Sequence, residues 1–129
     1  MRFWFADWAI SGSKVDVHDD RMYGPILFTL YTVSRGILKL SAQLPPLGDH
    51  CGPVELEVRD AQGKWMSLGT AELDRDAWNA TFRIPGWDMS REAEYRVLYT
   101  LQEGNGLAKQ YSYSGIISAE PTQKPDVVV

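Results

Sequence analysis

The sequence predicts an all-β chain folded as an antiparallel β-sandwich of seven or eight strands, Ig-like or fibronectin-III-like. Apolar residues recur with period two through most of the chain, which is the spacing of half-buried strands. The strand-like segments come roughly every ten residues, each bounded by turn-forming Gly, Pro, Asn or Asp. No segment carries a convincing helical period, which sets βαβ architectures aside.

The N-terminal piece offers one or two strands, around Phe3 to Ile10 and near Lys14 to Val17. "ILFTLYTV", Ile26 to Val33, is rich in β-branched and aromatic residues suited to a pleated surface, and Ser34-Arg35-Gly36 turns the chain back. "ILKLSAQL" follows, with Ile37, Leu40 and Leu44 apolar and Lys39, Ser41 and Gln43 polar. Pro45 to Asp49 is a breaker cluster. "VELEVRD" sends Val54, Leu56 and Val58 to one face and Glu55, Glu57 and Arg59 to the other. "DAQGKW" is a Gly-containing turn, and "KWMSLGTAEL" runs back beside the preceding strand as a hairpin.

Beyond Asp74-Arg75-Asp76, "AWNATFRIP" places Trp78, Ala80, Phe82 and Ile84 on one face and Asn79, Thr81 and Arg83 on the other. "GWDMSREA" is a corner with room for one helical turn capped by Asp88 or Ser90. "EYRVLYTL" aligns Tyr95, Val97, Tyr99 and Leu101. "QEGNGLA" reads as a loop, and "KQYSYSGIIS" closes the set with Tyr111, Tyr113 and then Ile116 or Ile117 past Gly115. Tyr95 opens a late strand just after a corner, where sandwich domains use a tyrosine to bond back across the corner. Trp78 and Trp87 belong in or beside the core.

At 129 residues the chain reads as one domain. An apolar fraction of 44% and a charged fraction of 23% are globular values and argue against disorder. The net charge is −4 with mixed signs along the chain, which argues against a nucleic-acid or anionic-membrane binder. The single cysteine, Cys51, allows no internal disulfide and no Cys-based zinc site. No stretch approaches the ~20 apolar residues of a membrane span, so no membrane insertion is expected. "MRFWFADWAI" does not read as a signal peptide, because Asp7 interrupts its short apolar run. The compartment stays open.

Candidate chemistry is thin. "VHDDR", His18 to Arg21, sets a histidine beside two carboxylates, but neighbouring strand residues point to opposite faces and cannot easily converge on a metal. "DHC", Asp49 to Cys51, holds residue types used in thiol catalysis, yet nucleophile and base meet across a fold, not along a chain. "DRD", Asp74 to Asp76, reads as an exposed turn rather than a glycosidase carboxylate pair. "NAT", Asn79 to Thr81, matches a glycosylation sequon, a weak signal. No phosphate loop, dinucleotide fingerprint, nucleophile elbow or zinc helix occurs. The expectation is no catalytic residue, no metal and no cofactor within this chain. Aromatics make the best case for binding: Trp4, Trp8 and Trp65 are the candidate interaction surface, able to stack on sugars or a partner protein.

"WNATFRIPGWDMSREAEYRVLYTL", followed by "YSYSGIISAEPTQKPDVVV", resembles the N-terminal β-sandwich domain of the PhoD-like, calcineurin-like bacterial metallophosphoesterases. The matching pieces are Phe82 to Pro85, Trp87-Asp88, Tyr95 to Val97, Ser114 to Ile116, and Pro121 to Val129. With Tyr95, the pair Trp87 and Asp88 forms the expected structural corner. The resemblance implies a sandwich over residues 1–119. It also implies that 120–129 are a linker and the first strand, Val127 to Val129, of a following domain. It further implies an accessory domain whose partner is a C-terminal catalytic domain of the same polypeptide, in a periplasmic or secreted parent. The family's metal ligands belong to that following domain and have no matching position here. A carbohydrate- or protein-binding module and a structural spacer are the alternatives. Dimerisation through an exposed face stays open.

Overall fold

A computed structural model describes residues 10–15, 24–48, 52–102 and 106–121. Within them the alternating segments become seven strands: β1 (Phe28–Ser34), β2 (Ile37–Gln43), β3 (Val54–Arg59), β4 (Trp65–Ala71), β5 (Asn79–Pro85), β6 (Ala93–Gln102) and β7 (Ala108–Ile117). They form two sheets, β1-β2-β5 and β4-β3-β6-β7, and every strand pairing is antiparallel. The chain is an all-β sandwich.

Period two decides the core. Leu38, Leu40, Ala42, Ala80 and Phe82 of the three-stranded sheet meet Val54, Leu56, Tyr95, Val97, Tyr99 and Ile117 of the four-stranded sheet. The β2–β5 register sets Leu40 against Phe82 and Ala42 against Ala80, so large and small side chains share the inner layer. Trp78 and Trp87 lie half-buried beside this core. Each fully buried Leu or Val contributes about 1.5–3 kcal/mol, and no polar or charged residue is buried among the described residues to offset it.

The turns follow local chemistry. Asp60 Oδ1 accepts the backbone N–H groups of Gln62 (2.9 Å) and Lys64 (2.8 Å), which folds the β3–β4 hairpin over Gly63 at φ 80°. A bulge between Leu56 and Glu57 shifts the register of that hairpin.

Several expectations change. Ile37 faces outward beside Lys39, because the buried set is Leu38, Leu40, Ala42 and Leu44. Gly115 leaves the alternation of β7 intact, so Ile117 is inside and Ile116 outside. Lys14 lies in a turn rather than a strand, with Val15 N–H donating to Gly12 O (3.1 Å). Asp16, Val17 and the expected strand around Phe3 fall outside the described residues. The "GWDMSREA" corner holds no helical turn. Asp88 Oδ1 instead accepts both the N–H (3.0 Å) and the hydroxyl (2.6 Å) of Ser90, a side-chain bond that competes with helix.

Tyr95 is also corrected. Its hydroxyl bonds Thr29 Oγ1 of β1 at 2.5 Å, in the opposite sheet, and not the corner backbone. Its ring covers the cross-strand partner Gly115, where an added Cβ would sit 2.5 to 2.7 Å from the phenol. Tyr31 meets the Tyr95 ring edge-on, and its own hydroxyl accepts Ser118 N–H (3.1 Å).

Two variants test this seam by urea unfolding. Tyr95→Phe removes one half-buried hydrogen bond and should cost about 1 kcal/mol. Gly115→Ala would help an ordinary strand position, but here it should destabilise by about 1–3 kcal/mol through overpacking. That cost should largely disappear in a Tyr95→Leu background. An equal cost in both backgrounds would rule out the ring–glycine contact as its cause.

Candidate functional site

The outer faces of the two sheets carry the exposed polar chemistry. On the four-stranded sheet, Glu55, Glu57 and Arg59 of β3 lie between Trp65 and Ser67 of β4 and Glu94 and Arg96 of β6. Arg96 Nε donates to Glu57 Oε2 (2.5 Å), Arg59 Nη1 to Glu94 Oε2 (2.7 Å), and Ser67 Oγ to Glu55 Oε1 (2.7 Å). Both guanidiniums also lie over the Trp65 indole, Arg96 at 4.4 Å and Arg59 at 5.7 Å from the ring centroid. These are cation–π distances. A shallow depression beside this cluster is lined by Trp65, Glu94, Ser114 and Ile116.

Trp65 thus sits half-buried under two arginines. A sugar ring stacking where those guanidiniums lie would have to displace them. Trp4 and Trp8, the other two candidates, lie outside the described residues, as do His18 to Arg21, Asp49 to Cys51 and 122–129. No three His, Cys, Asp or Glu side chains converge among the described residues. Asp74 Oδ1 accepts the N–H groups of Asp76 (2.9 Å) and Ala77 (3.1 Å), so the "DRD" carboxylate holds its own turn.

The corner residues Trp87 and Asp88 have a structural setting. Trp87 N–H donates to Gly36 O (2.8 Å), and Gly36 N–H points back at Met89 Sδ (3.3 Å). Glu120 N–H donates to Met89 O (2.8 Å). The β1–β2 turn, the corner and the segment after β7 therefore meet. The Asp88 carboxyl is held below the ordinary carboxylate value by the Ser90 hydroxyl first, then by the Ser90 N–H, with Arg91 adding to both.

The three-stranded sheet presents a second face that the strand pattern alone did not reveal. Across its outer surface Thr32 pairs with Lys39, and Lys39 pairs with Arg83, so two cations stand directly opposite each other. The next row is Leu30, Ser41 and Thr81, with Phe28 beyond it. Leu30 is 66% exposed and Phe28 44%. Alternation showed that Lys39 and Arg83 point outward. That they are neighbours depends on the β2–β5 pairing, which skips two strands and is invisible to local pattern.

Comparison of the chain with protein-family models, with curated proteins and with solved structures finds no match in any of the three.

Two predictions follow the geometry. Ser90→Ala should raise the Asp88 pKa toward its ordinary value, read by NMR titration of the carboxyl. Because the folded value is depressed, the Asp88 contribution to stability is present at neutral pH and lost as pH falls through that depressed value. No movement on Ser90→Ala would transfer the effect from the hydroxyl to the Ser90 N–H and Arg91. Separately, Arg96→Met leaves the mostly buried Glu57 without its partner and should cost roughly 1–3 kcal/mol. Arg59→Met breaks a half-exposed pair and should cost less than about 1 kcal/mol. Chemical denaturation of both variants checks the order.

Proposed function

We propose that this chain is a non-catalytic accessory β-sandwich of a larger, PhoD-like metal-dependent phosphoesterase. Its partner is the catalytic domain that follows it in the same polypeptide. One observation carries the reading. Several of the described residues behind the resemblance help to close the sandwich. Phe82 to Pro85 finish β5, Trp87 and Asp88 make the corner docked on Gly36, and Tyr95 lies over Gly115 within the matching Ser114 to Ile116 stretch. A resemblance concentrated on such positions is what a shared sandwich leaves in a sequence. The strand order, with β4 added to the sheet of β3, β6 and β7, supports a fibronectin-III-like arrangement within that reading. Architecture alone does not assign activity. The phosphoesterase part rests on the residues of the resemblance. The carbohydrate-binding alternative is less favoured, because two guanidiniums already lie over the indole of Trp65.

An antibody raised against this chain tests the reading in source cells. The native species should be several times heavier than 14.6 kDa, and its intact form should hydrolyse phosphodiesters or monoesters in a metal-dependent way. The purified chain alone should not. A native protein of 14.6 kDa, or metal-dependent turnover by the pure chain above mock controls, would sink it.

A further inference from the structure

We infer that the outer face of β1-β2-β5 binds a doubly charged oxyanion, a phosphate-type group carried on a larger molecule, at Lys39, Arg83 and Arg35. The three strands hold no Asp or Glu at all. Lys39 and Arg83 nonetheless stand directly across from each other, an arrangement that destabilises a sheet through like-charge repulsion. Among the described residues the side chains of Lys39, Arg83 and Arg35 take part in no ion pair or hydrogen bond. The contrast with the opposite face is sharp. There Arg59 and Arg96 are both paired with carboxylates and stacked on Trp65.

The three cations share one depression. It is an open depression of ≈ 290 Å³ lined by Thr32, Ser34, Arg35, Ile37, Lys39 and Arg83. Its polar side chains are ammonium, guanidinium and hydroxyl groups. Every one can donate a hydrogen bond, and none is a carboxylate. Such a surface selects a ligand rich in acceptors and negatively charged. Arginine favours the oxygens of a phosphoryl group bidentately, while lysine adds a point charge and Thr32 or Ser34 can supply a hydroxyl. The space is far larger than the roughly 30 Å³ share of one water, so it admits more than a bare ion. Ile37 among its lining residues and exposed Leu30 in the adjoining row offer apolar contact to the rest of the ligand. The inference does not depend on the identity of any neighbouring domain.

The test is an amide-shift NMR titration of the full chain with inorganic phosphate, set against sodium chloride at matched ionic strength. A parallel arm uses sedimentation with phosphatidylcholine vesicles, with and without phosphatidic acid, to separate a free phosphate from a lipid headgroup. Phosphate should shift Thr32, Lys39 and Arg83 saturably. The double variant Lys39→Gln, Arg83→Gln should weaken binding by about tenfold or more, as expected for loss of charge-assisted hydrogen bonds. Lys109→Gln, which removes a cation stacked on Tyr111, should change nothing at this face. The double variant should fold, because it relieves repulsion, and phosphate should raise the melting temperature of the parent chain but not of the variant. Pelleting only with phosphatidic acid, lost in the double variant, would assign the same chemistry to a headgroup. The inference is overturned by shifts that sodium chloride reproduces, by saturable shifts that survive the double variant, or by no response in either arm. A parent melting temperature unmoved by phosphate that does shift Thr32, Lys39 and Arg83 saturably would overturn it as well.

Discussion

Tyr95 fixes how the two sheets sit on each other. Within a sheet, backbone hydrogen bonds set position residue by residue. Between sheets there is only packing, which resists separation more than it specifies one alignment. Tyr95 adds direction. Its ring fills the space above Gly115 on β7, and its hydroxyl reaches Thr29 on β1. A buried phenol needs a hydrogen-bond partner, and Thr29 is an inward-facing residue of the opposite sheet. Tyr31 extends the seam by taking the N–H of Ser118 and by meeting the Tyr95 ring edge-on. The absence of a side chain at Gly115 is thus a packing requirement rather than a flexibility requirement.

The corner after β5 completes the closure by other means. Trp87 and Met89 contact Gly36 through a backbone bond and a sulfur acceptor, while Glu120 bonds back to Met89. Gly36 has φ 70°, a conformation that permits the tight β1–β2 turn and leaves both its N–H and C=O available to the corner. Asp88 shapes the corner itself by capturing Ser90. Three segments far apart in sequence are thereby joined by few groups.

Much of this was legible in the sequence, for a physical reason. Inside and outside are local properties of a strand. Val54, Leu56 and Val58, or Tyr95, Val97 and Tyr99, therefore declare their face by spacing alone. Ile37 misled because two consecutive apolar residues, Ile37 and Leu38, follow the turn, and only the buried run through Leu44 decides which is inside. The helical turn in "DMSREA" misled because an Asp two residues before a Ser can cap a helix or replace it. Partners were not legible. Nothing near Tyr95 announces Thr29, 66 residues away, and nothing near Trp65 announces Arg96. Trp65 could be recognised as an aromatic outside the core, but its occupation by guanidiniums is a product of register.

Charge shows the same limit most clearly. A net charge of −4, mixed along the chain, describes what a distant partner feels. A ligand at the surface feels the charges within about one Debye length, some 8–10 Å. Folding sorts those charges by sheet. The outward positions of β3 and β6 include Glu55, Glu57 and Glu94 beside Arg59 and Arg96, so opposite signs meet and neutralise. The outward positions of β1, β2 and β5 include Lys39 and Arg83 and no carboxylate, so the same chain acquires a basic face. An acidic protein can thus carry a local site for an anion. Whole-chain charge argues against a nucleic-acid binder, which needs an extended basic surface, and leaves a compact anion site untouched.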